Sequence, residues 1–443
     1  MNHTEDQFPT PLAPHYSTSS VSSEVVLYEG EIEIRFERMS VSSSVRIYLR
    51  WAPSARIEFH CPSYQQLVPL GDCRFAIRNG TEVRQASIVA TGSGGLTGFV
   101  HIWEPIVRTT PEPAAGVVEL RSHIVNLDRT PGAFLRVSNG AYAGRHELRF
   151  KTWRITLDDL NHEVSKSTRS SGGFGVTHIL SCVRAGGIEF SPVEAESVGH
   201  VSSTALSFCS GHAVGVVLPV GFSSTGSLVY DSWGMTLSAP MGNGGWFPFP
   251  FSDTELVPYL DAFLASSGEE TIRRALNLIV HWYLEANRTN GSVNHGIVNA
   301  MTALEIAAWV ILCLKGSMAP RDFKKASAHV KIRAALENAQ VNHTALMLDL
   351  PDLREFTSSE HACEDGIESL SRIRNRTVHP SAENEAAVHV LEQGWRYALH
   401  LVERLTFAII GFKGVVRVRT SPGWPFFDLE SGESLSALSR RRR

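Results

Sequence analysis

Cysteine is scarce and never closely spaced. The six cysteines, Cys61, Cys73, Cys182, Cys209, Cys313 and Cys363, include no C-x-x-C pair. This argues against a zinc site or disulfide framework and for free thiols in a reducing compartment. Charge is also low, at 19% of residues with a net −4, so the chain is not a polycationic nucleic-acid coat. No uninterrupted apolar run reaches the ~18 residues of a membrane span; Ile306 to Leu314 comes nearest. The first 25 residues lack a basic start and an apolar stretch. No secretory signal is therefore expected, and the expected location is cytoplasmic. Thr91-Gly-Ser-Gly-Gly-Leu-Thr-Gly98 lacks the Gly-Lys-Ser/Thr end of a phosphate loop and reads as a turn. Asp158-Asp159-x-x-His162-Glu163 has metal-ligand residue types but no fixed geometry, and reads as a polar loop. No metal and no cofactor is expected.

What the chain does have is ample apolar content, 43% of 443 residues, enough for two or three packed domains. Residues 1–23, rich in Ser, Thr and Pro, read as a flexible leader. From Glu24 the pattern alternates: Ile32, Ile34, Phe36; then Val45, Ile47, Leu49, Trp51; then Ile57 and Phe59. Period two marks half-buried antiparallel strands. Further strand candidates are Ser87–Ala90, Gly98–Trp103, Val117–Leu120, His146–Ile155, Thr177–Val183, Ala205–Cys209, Val214–Val220 and Ser227–Tyr230. Many short strands separated by turn residues predict a β-sandwich-like region over 24–250. The aromatic segment Trp246-Phe-Pro-Phe-Pro-Phe251 is either a partner-binding strip or a linker packed on one domain, and the domain boundary is placed between 235 and 265.

Beyond it the period becomes helical. Ser267 can cap a helix carrying Ile272, Leu276, Ile279, Val280 and Tyr283, in which His281 reads as a core histidine. Ile297, Met301, Leu304, Ala308 and Ile311 form a second stripe, and a third helix spans Arg321 to Asn338. The longest starts near Ser381, carries Val388, Leu391, Trp395, Ala398, Val402, Leu405 and Ile409, and stops at Gly411. Residues 265–415 thus predict a helical bundle, and 416–443 a tail ending in Arg440–Arg443. The fold class is α+β multidomain. Charge divides along the same line: 22 Lys and Arg against 20 Asp and Glu from residue 265 on, and 19 against 25 before it. The helical part is the one suited to a polyanion, and the Arg440–Arg443 tail can add salt-sensitive affinity.

The candidate chemistry lies in Ile367-Glu-Ser-Leu-Ser-Arg-Ile-Arg374-Asn375-Arg-Thr-Val-His379-Pro380. Ile367, Leu370, Ile373 and Thr377 share one helix face, and Arg374, seven residues after Ile367, returns almost onto it. An arginine so placed needs a carboxylate, a phosphate or a facing subunit. His379 precedes proline, so the helix is expected to end there with its imidazole accessible.

Arg374-Asn375-x-x-x-His379-Pro380 resembles the R-x4-6-H motif of HEPN domains, including the polar residue directly after the arginine. Leu276-Asn-Leu-Ile-Val-His-Trp282-Tyr283, Ala303-Leu304-Glu305 and Ile410-Gly411-Phe412-Lys-Gly414 look like helices of the ApeA-like branch of that family. The resemblance covers roughly residues 265 to 415. It implies an α-helical HEPN bundle, a homodimer or higher even oligomer, and a metal-independent endoribonuclease of an anti-phage, abortive-infection or toxin system. In that scheme Arg374 clamps the phosphate, His379 acts as acid or base, and Asn375 orients one of them; Arg372 and Arg376, which flank the motif, either touch the RNA backbone or form a solvated face. The expected RNA end is a 2′,3′-cyclic phosphate, and the β region would meet a phage-derived trigger. A competing reading makes the helical part a non-catalytic dimerisation scaffold with a ligand-binding β domain, Arg374 being held in a buried pair with Glu305.

Overall fold

The structure, a computed structural model, describes residues 8–16, 20–36, 40–51, 55–64, 70–77, 82–91, 95–100, 106–109, 116–138, 140–160, 162–234, 238–242, 244–288, 292–359, 363–379 and 386–435. The chain divides into two compact units, Met1–Ser203 with Val214–Met241, and Thr204–Ala213 with Gly242–Arg443.

The first unit is built on antiparallel strands, but not as the two facing sheets of a sandwich. Strands β1 (Val25–Arg35), β2 (Ser40–Arg50), β3 (Arg56–Cys61), β4 (Gly71–Ile77), β5 (Glu82–Ala90) and β6 (Leu96–Val100) close into a barrel in the order β1-β2-β3-β6-β5-β4. Closure removes the unpaired edges that a two-sheet arrangement leaves. The alternating Ile32, Ile34, Val45, Ile47, Leu49, Trp51, Ile57 and Phe59 are all buried, as their period requires. Gly98 permits the closest approach, since a Cβ there would lie 2.2 Å from the Ser87 carbonyl oxygen.

The second sheet has eight strands: β7 (Ile106–Thr109), β8 (Glu119–Val125), β9 (Ala133–Val137), β10 (Gly140–Phe150), β11 (Trp153–Asp159), β12 (Val176–Arg184), β13 (Gly215–Phe222) and β14 (Leu228–Trp233), in the order β7-β14-β13-β8-β12-β11-β10-β9. Ile106, Val125, Val176, Ile179, Val217 and Trp233 join the barrel residues in one continuous core. The run His146–Ile155, expected as one strand, is a hairpin, because Lys151 turns the chain with φ of 53°. Helix α1 (His162–Ser171) follows β11. Ala205–Cys209, expected as a strand, is the end of helix α2 (Pro192–Ser210), whose proline and Glu194 sit in the first turn. Ala205, Leu206, Ser207, Phe208 and Cys209 are all buried, and a five-residue run buried on every side carries no periodicity to separate helix from strand.

Residues 8–16 are not a flexible leader. The Arg136 amide donates to the Pro9 carbonyl at 2.9 Å, and the Leu12 amide donates to Asp158 Oδ2 at 2.7 Å. Asp158 is held by a two-pronged pair with Arg145, at 2.8 and 2.6 Å, so its acceptors are committed. Among the described residues no group of His, Cys, Asp and Glu can hold a metal. Tyr16 donates its hydroxyl to Asp231 at 2.6 Å and its amide to Nε2 of buried His123 at 3.1 Å. His123 Nδ1 must then carry the proton, which it donates to the Leu218 carbonyl at 3.0 Å. Leu218 reaches that position through a positive φ of 49°, where β13 slips register against β8.

The second unit is helical: α3 (Ser252–Ser266), α4 (Glu270–Asn287), α5 (Val293–Trp309), α6 (Pro320–Lys325), α7 (Ala328–Asn338), α8 (Pro351–Ser359), α9 (Gly366–Val378) and α10 (Val388–Ile410). α3 lies where a linker was expected; Pro258 masks its apolar face of Leu256, Tyr259, Leu260 and Phe263. Ser267 consequently closes α3 and does not cap α4. The aromatic segment packs inward, Trp246 ringed by Phe208, Tyr259, Phe407 and Phe412. His281, expected in the core, is exposed beside Trp282. The continuous helix Val293–Leu314 is long and apolar enough to cross a membrane, yet its Ile297, Ala300, Met301, Leu304, Ala307 and Ala308 are buried in the bundle. α10 ends at Gly411 with φ of 73°.

The expected tail is a three-stranded sheet, β15 (Val415–Arg417), β16 (Phe426–Asp428) and β17 (Glu433–Leu435), while Arg440–Arg443 lie outside the described residues. Just after β15, Arg419 is fully buried. It donates to Glu403 at 2.5 Å and to the Tyr283 hydroxyl at 2.7 Å, and Glu403 also meets His400 Nδ1 at 3.1 Å.

Candidate functional site

α9 forms because its apolar residues recur at helical spacing and its start is capped. Ile367, Leu370 and Ile373 are buried. Asp365 accepts the Glu368 amide at 2.9 Å, and Glu368 reaches back to the Glu364 amide at 2.8 Å, a reciprocal arrangement of the capping-box kind. Arg333 of α7 grips the same start, donating to Asp365 at 2.7 Å and pairing with Glu364 at 2.9 Å. Burial pushes the Asp365 carboxyl up, but Arg333 and the Glu368 amide outweigh it and hold Asp365 below the usual range. The same hydrogen bond raises the Arg333 guanidinium.

The other end of α9 carries the motif. His379 is the C-cap, extended at φ −121° and ψ 94°, with its amide donating to the Asn375 carbonyl at 2.8 Å. That conformation is what a following proline enforces; Pro380 itself lies outside the described residues. The His379 side chain is exposed. Arg374 is half-buried and donates through Nη1 to the Asn375 amide oxygen at 3.1 Å. It is not sealed against Glu305, which meets Lys331 at 3.5 Å instead.

The structure brings four of the five singled-out residues into one groove. Arg372, Asn375, Arg376 and His379 line a cavity of about 400 Å³. Arg374 does not line it, because five steps of about 100° set it roughly 140° around the helix from His379. Three lining residues were not singled out: Glu368, Ser371 and, from α7, His329. Glu368 and Ser371 extend the same stripe backwards at i, i+3, i+4, i+7, i+8 and i+11, so that polar face was readable as a set. His329 was not, because only tertiary packing places it. Arg372 lies 3.8 Å from Glu368, which tempers the positive charge of the groove.

Residues 112–243 match the family model described as the YopA central domain, and residues 269–426 match the YopA C-terminal domain. The groove falls inside the second match, and the six-stranded barrel precedes both. The chain is similar to the SPbeta prophage-derived uncharacterized protein YopA of Bacillus subtilis (strain 168), 26% identical over 285 residues. That alignment takes in 62% of this chain and 62% of the relative's length. No solved structure matches the chain.

Proposed function

We propose that the protein is a metal-independent endoribonuclease of HEPN type, cutting cellular RNA such as tRNA in an anti-phage, abortive-infection or toxin system. The observation that carries this reading is the end of α9, where an exposed imidazole stands beside a cation-lined groove and a half-buried arginine is oriented by Asn375.

RNA cleavage without a metal needs the 2′-hydroxyl deprotonated, the 5′-oxygen protonated and the crowded phosphate surrounded by positive charge. Imidazole titrates in the range where both proton transfers are feasible, and guanidinium supplies a permanent two-pronged donor to phosphate oxygens. His379 serves as acid or base, Arg374 as phosphate and transition-state clamp held by Asn375, and Arg372 and Arg376 contact the RNA backbone. Arg374 lies off the groove of its own chain, which favours a composite site completed by a second copy in a homodimer or higher even oligomer. The β-rich unit senses a phage-derived trigger, and the protein works in the cytoplasm. The prophage origin of the relative supports a setting of conflict between phage and host. The scaffold reading called for Arg374 sealed by Glu305, and the Glu305–Lys331 pair weighs against it.

The test compares wild type, Arg374→Ala and His379→Ala on total RNA and tRNA with EDTA present, alone and with lysate from phage-infected cells. Wild type should leave 2′,3′-cyclic phosphate ends. His379→Ala should lose about 10²–10⁴-fold in rate, the usual worth of a general acid or base. Arg374→Ala should lose about 10²–10³-fold, the usual worth of a transition-state donor. Both variants should still fold and dimerise. Equal cleavage by all three proteins would sink the reading.

A further inference from the structure

We propose that the groove between α7 and α9 is a phosphodiester-binding site in which His329 is a second catalytic histidine paired with His379. This rests on the nuclease reading and adds to it a residue, a ligand position and a division of labour.

Two imidazoles from different helices line one cavity of about 400 Å³, within the range of small-ligand sites. Arg372 and Arg376 line it as well. Ser371, over nine-tenths buried, also lines the cavity, and its hydroxyl has no hydrogen-bond partner in the protein. A buried orphan hydroxyl is costly unless something else satisfies it. Two guanidinium groups suit an oxyanion, and Glu368 lies 3.8 Å from Arg372. His329 is also held in place. Its Nε2 lies 3.2 Å from the Ser327 hydroxyl, and Arg333, one turn along α7, ties that helix to the start of α9.

A single histidine must perform both proton transfers in turn or borrow a partner's. Here the pair performs them together. The neutral imidazole takes the proton from the 2′-hydroxyl as its oxygen bonds to phosphorus. The P–O5′ bond breaks, and the protonated imidazole gives its proton to the departing 5′-oxygen. The products are a 2′,3′-cyclic phosphate and a 5′-hydroxyl; no water is consumed, and exchange with solvent restores the two protonation states.

Two measurements on the full chain test this. In the first, 15N-labelled imidazoles are followed while cytidine 3′-monophosphate is titrated in, without need of turnover. His329 and His379 resonances should move together with one dissociation constant, and Arg372→Gln should weaken binding at least about tenfold. Movement of His379 alone, or of neither, would overturn the shared site. In the second, tRNA cleavage is measured for His329→Gln, with its melting curve as the folding control. A fall of about 10²-fold or more in rate, loss of one limb of the pH profile, and nucleotide affinity within threefold of wild type are expected. Wild-type cleavage by His329→Gln would overturn the catalytic role even if His379→Ala is inactive. A wild-type protein that binds the nucleotide but cuts no RNA would end the nuclease reading and the catalytic role together, leaving the binding site.

Discussion

Asp365 does two jobs with one carboxylate: it caps α9 through the Glu368 amide and accepts from Arg333. The two functions separate by substitution. Asp365→Ala should cost about 1–3 kcal/mol, combining a lost cap with a lost charged hydrogen bond. Asp365→Asn keeps an oxygen for the cap and should cost clearly less. Denaturant unfolding of the two variants checks the order, and equal losses would show that the cap contributes nothing. Arg419 is a harsher case, because Glu403 and Arg419 are both fully buried. Burial alone would push the Glu403 carboxyl up, but Arg419 and His400 bring it below its ordinary value. Arg419→Met leaves that carboxylate buried without its cation, a change worth about 3–5 kcal/mol of destabilisation. Replacing both members, Glu403→Leu with Arg419→Met, should recover much of the loss in the same unfolding measurement. The thiols stay bland: burial pushes Cys61 and Cys182 up to about 12 and Cys73 up to about 11, so they are poor nucleophiles.

At the scale of elements, the barrel depends on a place where no side chain fits. Gly98→Ala puts a methyl against the Ser87 carbonyl between β5 and β6 and should cost about 1–3 kcal/mol, the usual penalty of overpacking. Hydrogen exchange of the β3, β5 and β6 amides would register it, and unchanged protection would refute the packing argument. The elements readable in the sequence were those with both a period and a stop. The barrel strands alternate through Ile32, Ile34, Ile47 and Leu49; α9 has its stripe and a proline-enforced end; α10 has its stripe and Gly411. Where one of those signals failed, so did the reading. Ala205–Cys209 had no exposed side, α3 hid behind Pro258, and the Lys151 turn uses a residue that rarely takes positive φ. The candidate site divides the same way. Its α9 stripe was legible because one helix carries it, whereas His329 and the Arg333 clamp join it from another helix through contacts that no local pattern encodes.

At the scale of the whole molecule, acid should act on both units in the same direction. Burial lowers His123 to about 4 and His178 to about 3, and it lowers His400 as well. A histidine whose folded pKa lies below its unfolded value of about 6.5 contributes stability above that value and loses it as pH falls through the folded pKa. Glu403, also lowered, follows the same rule in its own range. Stability should therefore hold above pH 7 and fall steadily from about pH 6.5 to 4, His123 and His178 each contributing on the order of 3 kcal/mol. His123→Asn should flatten part of that fall in the first unit. Melting curves across this pH range, followed by probes in each unit, test it; a flat profile would show that these imidazoles exchange their burial for solvent before unfolding.

The buried Arg419 has a consequence for how the protein is made. Glu403 emerges from the ribosome before its cation, so α10 first meets α4 with an uncompensated carboxylate. Domains otherwise tend to close in the order of synthesis. Here the helical unit waits on a residue beyond its last helix, and nascent chains ending at Ile410 should be far more protease-sensitive than chains ending at Leu435. An unfinished copy is then a harmless one, which suits a protein whose proposed activity injures the cell that makes it.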